Sequence, residues 1–145
     1  MGYQKVLVPV SGKDLLGRAA RALEQALQIV RKDGEICFLH CVDEKSYLIT
    51  GNEHRNLVME DAGEAEKLFA PLPERVINAG ITYSAHILEG PPATLIPRFA
   101  EEGKFNAIVM YSSGHDDLGK LIGKLVVGGV TERVLHAINI PLLIC

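Results

Sequence analysis

At 145 residues and 48% apolar content, the chain is the size of a single domain (1–145) able to build a core without disulfide staples. Its net charge of −3 leaves no broad basic surface, which argues against nucleic-acid binding. The longest apolar runs are only strand-length, so no membrane span is expected, and Met1 to Lys5 leads into a strand rather than a secretory leader.

Lys5 to Val10 (KVLVPV) reads as the first strand, closed by Ser11-Gly12. Asp14 is a good N-cap, and Leu15, Ala19, Ala22, Leu23, Ala26, Ile29 and Val30 recur at helical spacing up to Gly34. Glu35 to Val42 is the second strand, and Asp43 to Asn56 is polar and irregular, a long loop turning at Gly51-Asn52. Leu57 to Asn78 has helical character interrupted by Pro71 and Pro73, which predicts two pieces or a kink. Ile81 to Leu88 is the third strand, with a Glu89-Gly90-Pro91-Pro92 turn after it. Ala93 to Glu102 is the next helix, with Pro97 placed to bend it. Ala107 to Tyr111 is the fourth strand, and the glycine-rich stretch after it runs to Gly129. Val130 to Ala137 is the last helix and Pro141 to Cys145 the fifth strand.

Strands alternate with helices, and several strands are continuously apolar, as in a parallel sheet covered on both faces. Right-handed crossovers then give an open, doubly wound sheet that binds ligands beyond the carboxyl ends of its strands. Three cysteines fit a reduced, cytoplasmic protein. Cys37 and Cys41 share a strand face but sit roughly 13 Å apart, too far for a disulfide or shared metal.

Four segments in order resemble the universal stress protein family. Val6 to Gly12 is similar to its first strand and loop, and Phe38 to Val42 to its second strand. Gly90 to Ile96 with Ala100-Glu101, leading to Ile108-Val109-Met110, resembles its third helix and fourth strand. Gly128 to Leu135 followed by Ile140 to Ile144 resembles its closing helix and strand. The resemblance implies a five-stranded parallel sheet of order 3-2-1-4-5 with helices on both faces. It also implies a homodimer joined through the last strand, here Leu142, Leu143 and Ile144, an apolar edge with unpaired backbone groups.

ATP-binding members of that family carry Gly, two residues, Gly, nine residues, then Gly with Ser or Thr, and an aspartate after the first strand. Here Ser11 stands at the aspartate position and Tyr111 at the first glycine, where its ring crowds a close backbone approach. Gly114 matches the second glycine, and Gly128-Gly129 replaces the last pair without the hydroxyl. Thirteen residues (115–127) separate Gly114 from Gly128, four more than the pattern. Taking Gly119 instead puts Asp116 at the first glycine and leaves eight residues, so either register breaks the motif. Asp116 and Asp117 oppose phosphate unless Mg²⁺, Lys120 or Lys124 offsets them, so a bound nucleotide would be ATP with Mg²⁺.

Other chemistry in this loop is poorly supported. Gly114 to Leu121 nearly spells a P-loop but places Leu121 where Ser or Thr must hold Mg²⁺. His115 beside Asp116, with Ser112 or Ser113, lacks a nucleophile elbow, and His115, Asp116 and Asp117 lack a separated fourth metal ligand. His40 belongs to a buried strand, His86 and His54 have no evident partner, and His136 falls where a cation favours a helix C-terminus. No catalytic or metal residue is assigned, and the chain is not expected to be an enzyme; slow ATP hydrolysis, a third reading, would need a metal site and a water-positioning residue, and the sequence identifies neither.

Two functional readings remain. One is a stress-response regulatory domain with a degraded adenine-nucleotide site. Pro9, Val10, Cys41 and Val42 would meet the adenine, Ser11 the ribose or phosphates, and Gly114, Gly128, Gly129 and Val130 the phosphates. The other is a dimeric protein-interaction module that binds no nucleotide and acts through the 142–144 edge and the Asp43–Asn56 loop.

Overall fold

The computed structural model describes residues 2–10, 18–42, 72–111 and 129–145. Five strands form one sheet: β1 (Tyr3–Pro9), β2 (Val30–Val42), β3 (Thr82–Glu89), β4 (Ala107–Met110) and β5 (Leu142–Ile144). Every pairing is parallel and the order is β3-β2-β1-β4-β5. The described helices are α1 (Arg18–Ile29), α2 (Leu72–Asn78), α3 (Pro92–Glu102) and α4 (Gly129–Ala137).

The continuous apolar runs are resolved by the two-residue repeat of a strand, which sends neighbours to opposite faces. Val6, Val8, Ile36, Phe38 and Val109 point to one face, packed against Ala19, Ala22, Leu23 and Ala26 of α1 and Leu72 and Val76 of α2. Leu7, Cys37, Leu39, Ile108 and Met110 point to the other, against Ile96 and Ala100 of α3 and Val134 of α4. The spacing of 19, 22, 23 and 26 is one helical stripe, and its three alanines suit close approach of α1 to the sheet. Cys37 and Cys41 lie on the same face, and all three cysteines are free thiols.

The boundaries differ from the sequence reading in ways that have local causes. The first helix does not reach Gly34: it ends at Ile29, and β2 begins at Val30, where Tyr3 pairs with Val30 before the register jumps to Lys5 with Glu35. The start of β1 crowds this junction. A Cβ on Gly2, whose φ is +130°, would lie 2.8 Å from the Ile29 carbonyl oxygen, and one on Gly34 would lie 2.8 Å from that of Gln4. Two β-branched residues, Ile29 and Val30, also favour the change to extended chain. β1 begins earlier, at Tyr3, and Val10 lies just past its end. β3 is shifted by one residue to Thr82–Glu89, with Ile81 buried ahead of it. The outer strands are shorter than read. Tyr111 lies past β4, and Pro141 and Cys145 flank β5.

Pro73 occupies the second position of α2, where its missing N–H costs nothing, so the helix described there starts at Leu72. The Leu57–Pro71 stretch, the Asp43–Asn56 loop and residues 112–128 lie outside the described residues. Pro97 lies inside α3, which continues through it to Glu102. Asn106 then ties the entry of β4 to β1: its N–H donates to the Lys5 carbonyl and its Oδ1 accepts from the Lys5 N–H, both at 2.8 Å. Among the described residues no helix is long and apolar enough to cross a membrane.

Two glycines separate steric from conformational demands. Gly34→Ala puts a methyl against the Gln4 backbone and, at 2.7 Å, against Val30 Cγ2. Gly80 ends α2 at φ +76° with open space around it, while the Ile81 N–H closes onto the Val76 carbonyl at 3.1 Å. We expect Gly80→Ala to cost about 1 kcal/mol and Gly34→Ala about 1–3 kcal/mol, read from urea midpoints. Equal stability of Gly34→Ala and wild type would refute the crowded junction.

Candidate functional site

β1 is the strand at which the winding reverses. It pairs with β2 on one side and β4 on the other, so the connections leaving β1 and β4 part to opposite faces and open a crevice at their carboxyl ends. The strand ends bordering this crevice are Pro9-Val10, Cys41-Val42, Met110-Tyr111 and, further out, Cys145. Because each helix runs back antiparallel to the strands, α4 begins at this same edge.

Val10 is held there from both sides of its peptide unit. Its N–H donates to the Leu39 carbonyl at 2.9 Å. Its carbonyl accepts at 3.0 Å from Nδ1 of His40, a ring 95% buried in β2, which fixes the proton on Nδ1. Val10 can therefore offer a ligand its half-buried side chain, while its backbone polar groups are already engaged. Cys41 and Val42 end β2 one and two residues beyond His40, in register with Leu88 and Glu89 of β3. Burial pushes the Cys41 thiol up to about 12, so this position presents a neutral, apolar sulfur. On the far side, the Cys145 N–H donates to the Met110 carbonyl at 3.0 Å, closing β5 onto β4. Burial raises the Cys145 thiol as well, and the Arg21 guanidinium of α1 acts in the opposite sense, which places a cation near this end of the sheet.

The structure thus brings Pro9, Val10, Cys41 and Val42 together at adjacent strand ends and sets Gly129 and Val130 in the first turn of α4. The N–H groups of that turn have no carbonyl inside the helix to bond, and the helix dipole adds positive potential there. Val130 is 38% exposed and Thr131 is buried, so the turn shows the crevice edge a short apolar side chain. Glu132 sits in the same turn and favours the same dipole. Tyr111 is half-buried immediately after β4. Ser11, Gly114 and Gly128 lie outside the described residues, as do Asp116 and Asp117. The described residues at this edge are the apolar strand ends Pro9, Val10 and Cys41 and the N–H groups of the first turn of α4.

The histidines divide clearly. His40 is the structural clamp just described, and His86 packs its ring against Phe99 at 5.2 Å. His136 stands exposed in the last turn of α4. His54 and His115 lie outside the described residues. Among the described residues, no three His, Cys, Asp or Glu side chains converge as a metal site would require. The sequence reading placed His40 in the core but not on Val10, because a lone histidine in an apolar strand gives no sign of which carbonyl it will meet.

A model of the universal stress protein family matches residues 2–145. A universal stress protein of Methanocaldococcus jannaschii is 29% identical over 148 residues, covering 98% of this chain and 81% of that protein. The universal stress protein UspA of Lactobacillus plantarum superposes with a TM-score of 0.80 at 20% identity, over 99% of this chain and 98% of that one. A universal stress protein family member of Arabidopsis thaliana, solved with AMP bound, has a TM-score of 0.66 at 20% identity, over 97% and 90% of the two chains. The shared sheet order and the match over nearly the whole length lead to one conclusion: the chain belongs to the universal stress protein family.

Proposed function

We propose that this chain is a regulatory, non-enzymatic domain of the stress response that binds an adenine nucleotide weakly at the carboxyl edge of its sheet. The observation that carries this reading is that the β1 and β2 ends and the first turn of α4 lie at one edge of the sheet, at the β1/β4 reversal. Adenine would lie against Val10 and Cys41, with the Cys41-Val42 backbone reading its edge. Ser11 would face the ribose or phosphates, and the phosphates would meet the Gly114, Gly128, Gly129 and Val130 backbone. The AMP-bound relative supports the ligand class through its common fold. The expected weakness follows from Tyr111 in place of a glycine, the missing hydroxyl at Gly129, and the carboxylates of Asp116 and Asp117. Mg²⁺ would accompany ATP to offset those carboxylates.

A second reading shares the fold and uses its edge. β5 is a three-residue edge strand with Leu143 37% exposed, a surface suited to pairing with a second copy of the chain. In this reading the protein is a dimeric interaction module located in the cytoplasm, needing neither nucleic acid nor membrane.

Calorimetric titration with Mg-ATP, on protein first checked for carried nucleotide, tests the first reading. The expected result is saturable heat with a dissociation constant between about 10 µM and 1 mM. Tyr111→Gly combined with Gly129→Ser should tighten binding by at least about threefold. No heat at millimolar ATP, in wild type and variant alike, would remove the nucleotide reading. Sedimentation equilibrium tests the edge: Leu143→Lys should convert a dimer to monomer, and a wild type already monomeric at 100 µM (on the order of cellular excess) would overturn that interface.

A further inference from the structure

At the opposite, amino end of the sheet there is a cavity of about 240 Å³ that the nucleotide reading does not use. It lies where α3 and α4 both finish. Ala100 and Phe105, which are 3% and 6% exposed, supply its floor with Ile138 and Ile140. Its rim carries three polar side chains, Glu101, Lys104 and Asn139, all exposed. We propose that this cavity binds an apolar α-amino acid as its zwitterion.

Size sets the first limit. A cavity of about 150 Å³ holds benzene, so 240 Å³ has room for one aromatic or branched aliphatic side chain and part of its main chain. Charge sets the second. Glu101 stands on the last turn of α3 beside the end of α4, whose orphan carbonyls add negative potential and favour an ammonium. Lys104, three residues on, supplies the matching cation for a carboxylate. Among the described residues the ion pairs are Arg31–Asp33 and Glu24–Arg75, and neither draws on these two rim charges. Lys5 donates to the Gly103 carbonyl and lies 4.6 Å over the Phe105 ring.

Backbone conformation is an independent indication. Lys104 has φ +55°, the left-handed region that glycine enters without strain, and among the described residues it is the one non-glycine there. The turn is fixed by three hydrogen bonds: Gly103 N–H to Phe99 O at 2.9 Å, Lys104 N–H to Glu101 O at 3.2 Å and Phe105 N–H to Ala100 O at 2.9 Å. A glycine would serve this turn more cheaply, so the lysine at the cavity rim carries a local backbone cost. The inference is independent of the nucleotide reading, because no residue of the carboxyl edge takes part.

The test is a ¹H–¹⁵N titration of the full chain with L-phenylalanine, L-phenylalaninamide and N-acetyl-L-phenylalanine. L-Phenylalanine should saturate with a dissociation constant near about 1 mM, moving amides at 100–105 and 137–140. Each blocked derivative, lacking one charge, should bind at least about threefold more weakly. Lys104→Gly, which removes the ammonium while easing the backbone, and Glu101→Gln should each weaken L-phenylalanine by about two- to fivefold with the fold intact. No saturation, shifts confined elsewhere, equal binding of all three probes, or unchanged affinity in both variants would each overturn the proposal.

Discussion

Everything in this molecule hangs on β1. It is paired along both edges, with β2 and β4, and three consecutive residues, Val6, Leu7 and Val8, are fully buried. A strand in that position cannot expose either face, so helices must cover both, and the chain must cross over the sheet in opposite directions on its two sides. Those requirements dictate the doubly wound topology and, with it, the crevice where β1 and β4 end. The site is a by-product of burying one strand completely.

The same constraint explains why the edge of the crevice is rigid at one point. Once β1 ends at Pro9, the next residue would leave the sheet with unsatisfied backbone groups. Val10 avoids this through Leu39 and through the buried His40 ring, so the chain departs from a defined position. A buried imidazole is costly unless it is bonded, and here its Nδ1 is bonded to main chain. That pairing turns a residue that looks like chemistry into a structural support.

How much of this the sequence could reveal follows from the range of each interaction. Coverage of both sheet faces was legible because it rests on local pattern, the continuously apolar strands and the alanine-rich stripe of α1, whereas the strand order followed from the family resemblance. The end of α1 was not legible, since the apolar helical spacing continues through Ile29 and Val30, and the crowding at Gly34 comes from Gln4, thirty residues away in sequence. Of the candidate site, the strand-end residues were readable from topology, whereas the His40 clamp, the Arg21 charge and the amino-end cavity depend on contacts between distant segments. Ser11, Gly114 and Gly128 rest on the family resemblance.

α4 gives the two ends of the molecule opposite electrostatic character. Its nine residues run from the carboxyl edge at Gly129 to the amino edge at Ala137, a length of about 13 Å. The first turn offers N–H groups without acceptors, and the last turn offers carbonyls without donors. An anion is therefore favoured beside Gly129, and an ammonium beside Ala137, by one peptide dipole array rather than by two sets of side chains. The side chains refine this pattern at each end: Glu132 satisfies the positive turn where no ligand is present, and Glu101 deepens the negative end where α3 finishes next to it. Lys104 is the exception, a cation set at the negative end in a conformation that favours glycine. Its left-handed backbone belongs to the turn that closes α3, so the ammonium stands at the cavity rim because the turn puts it there, and a carboxylate in the proposed ligand would be its counterpart.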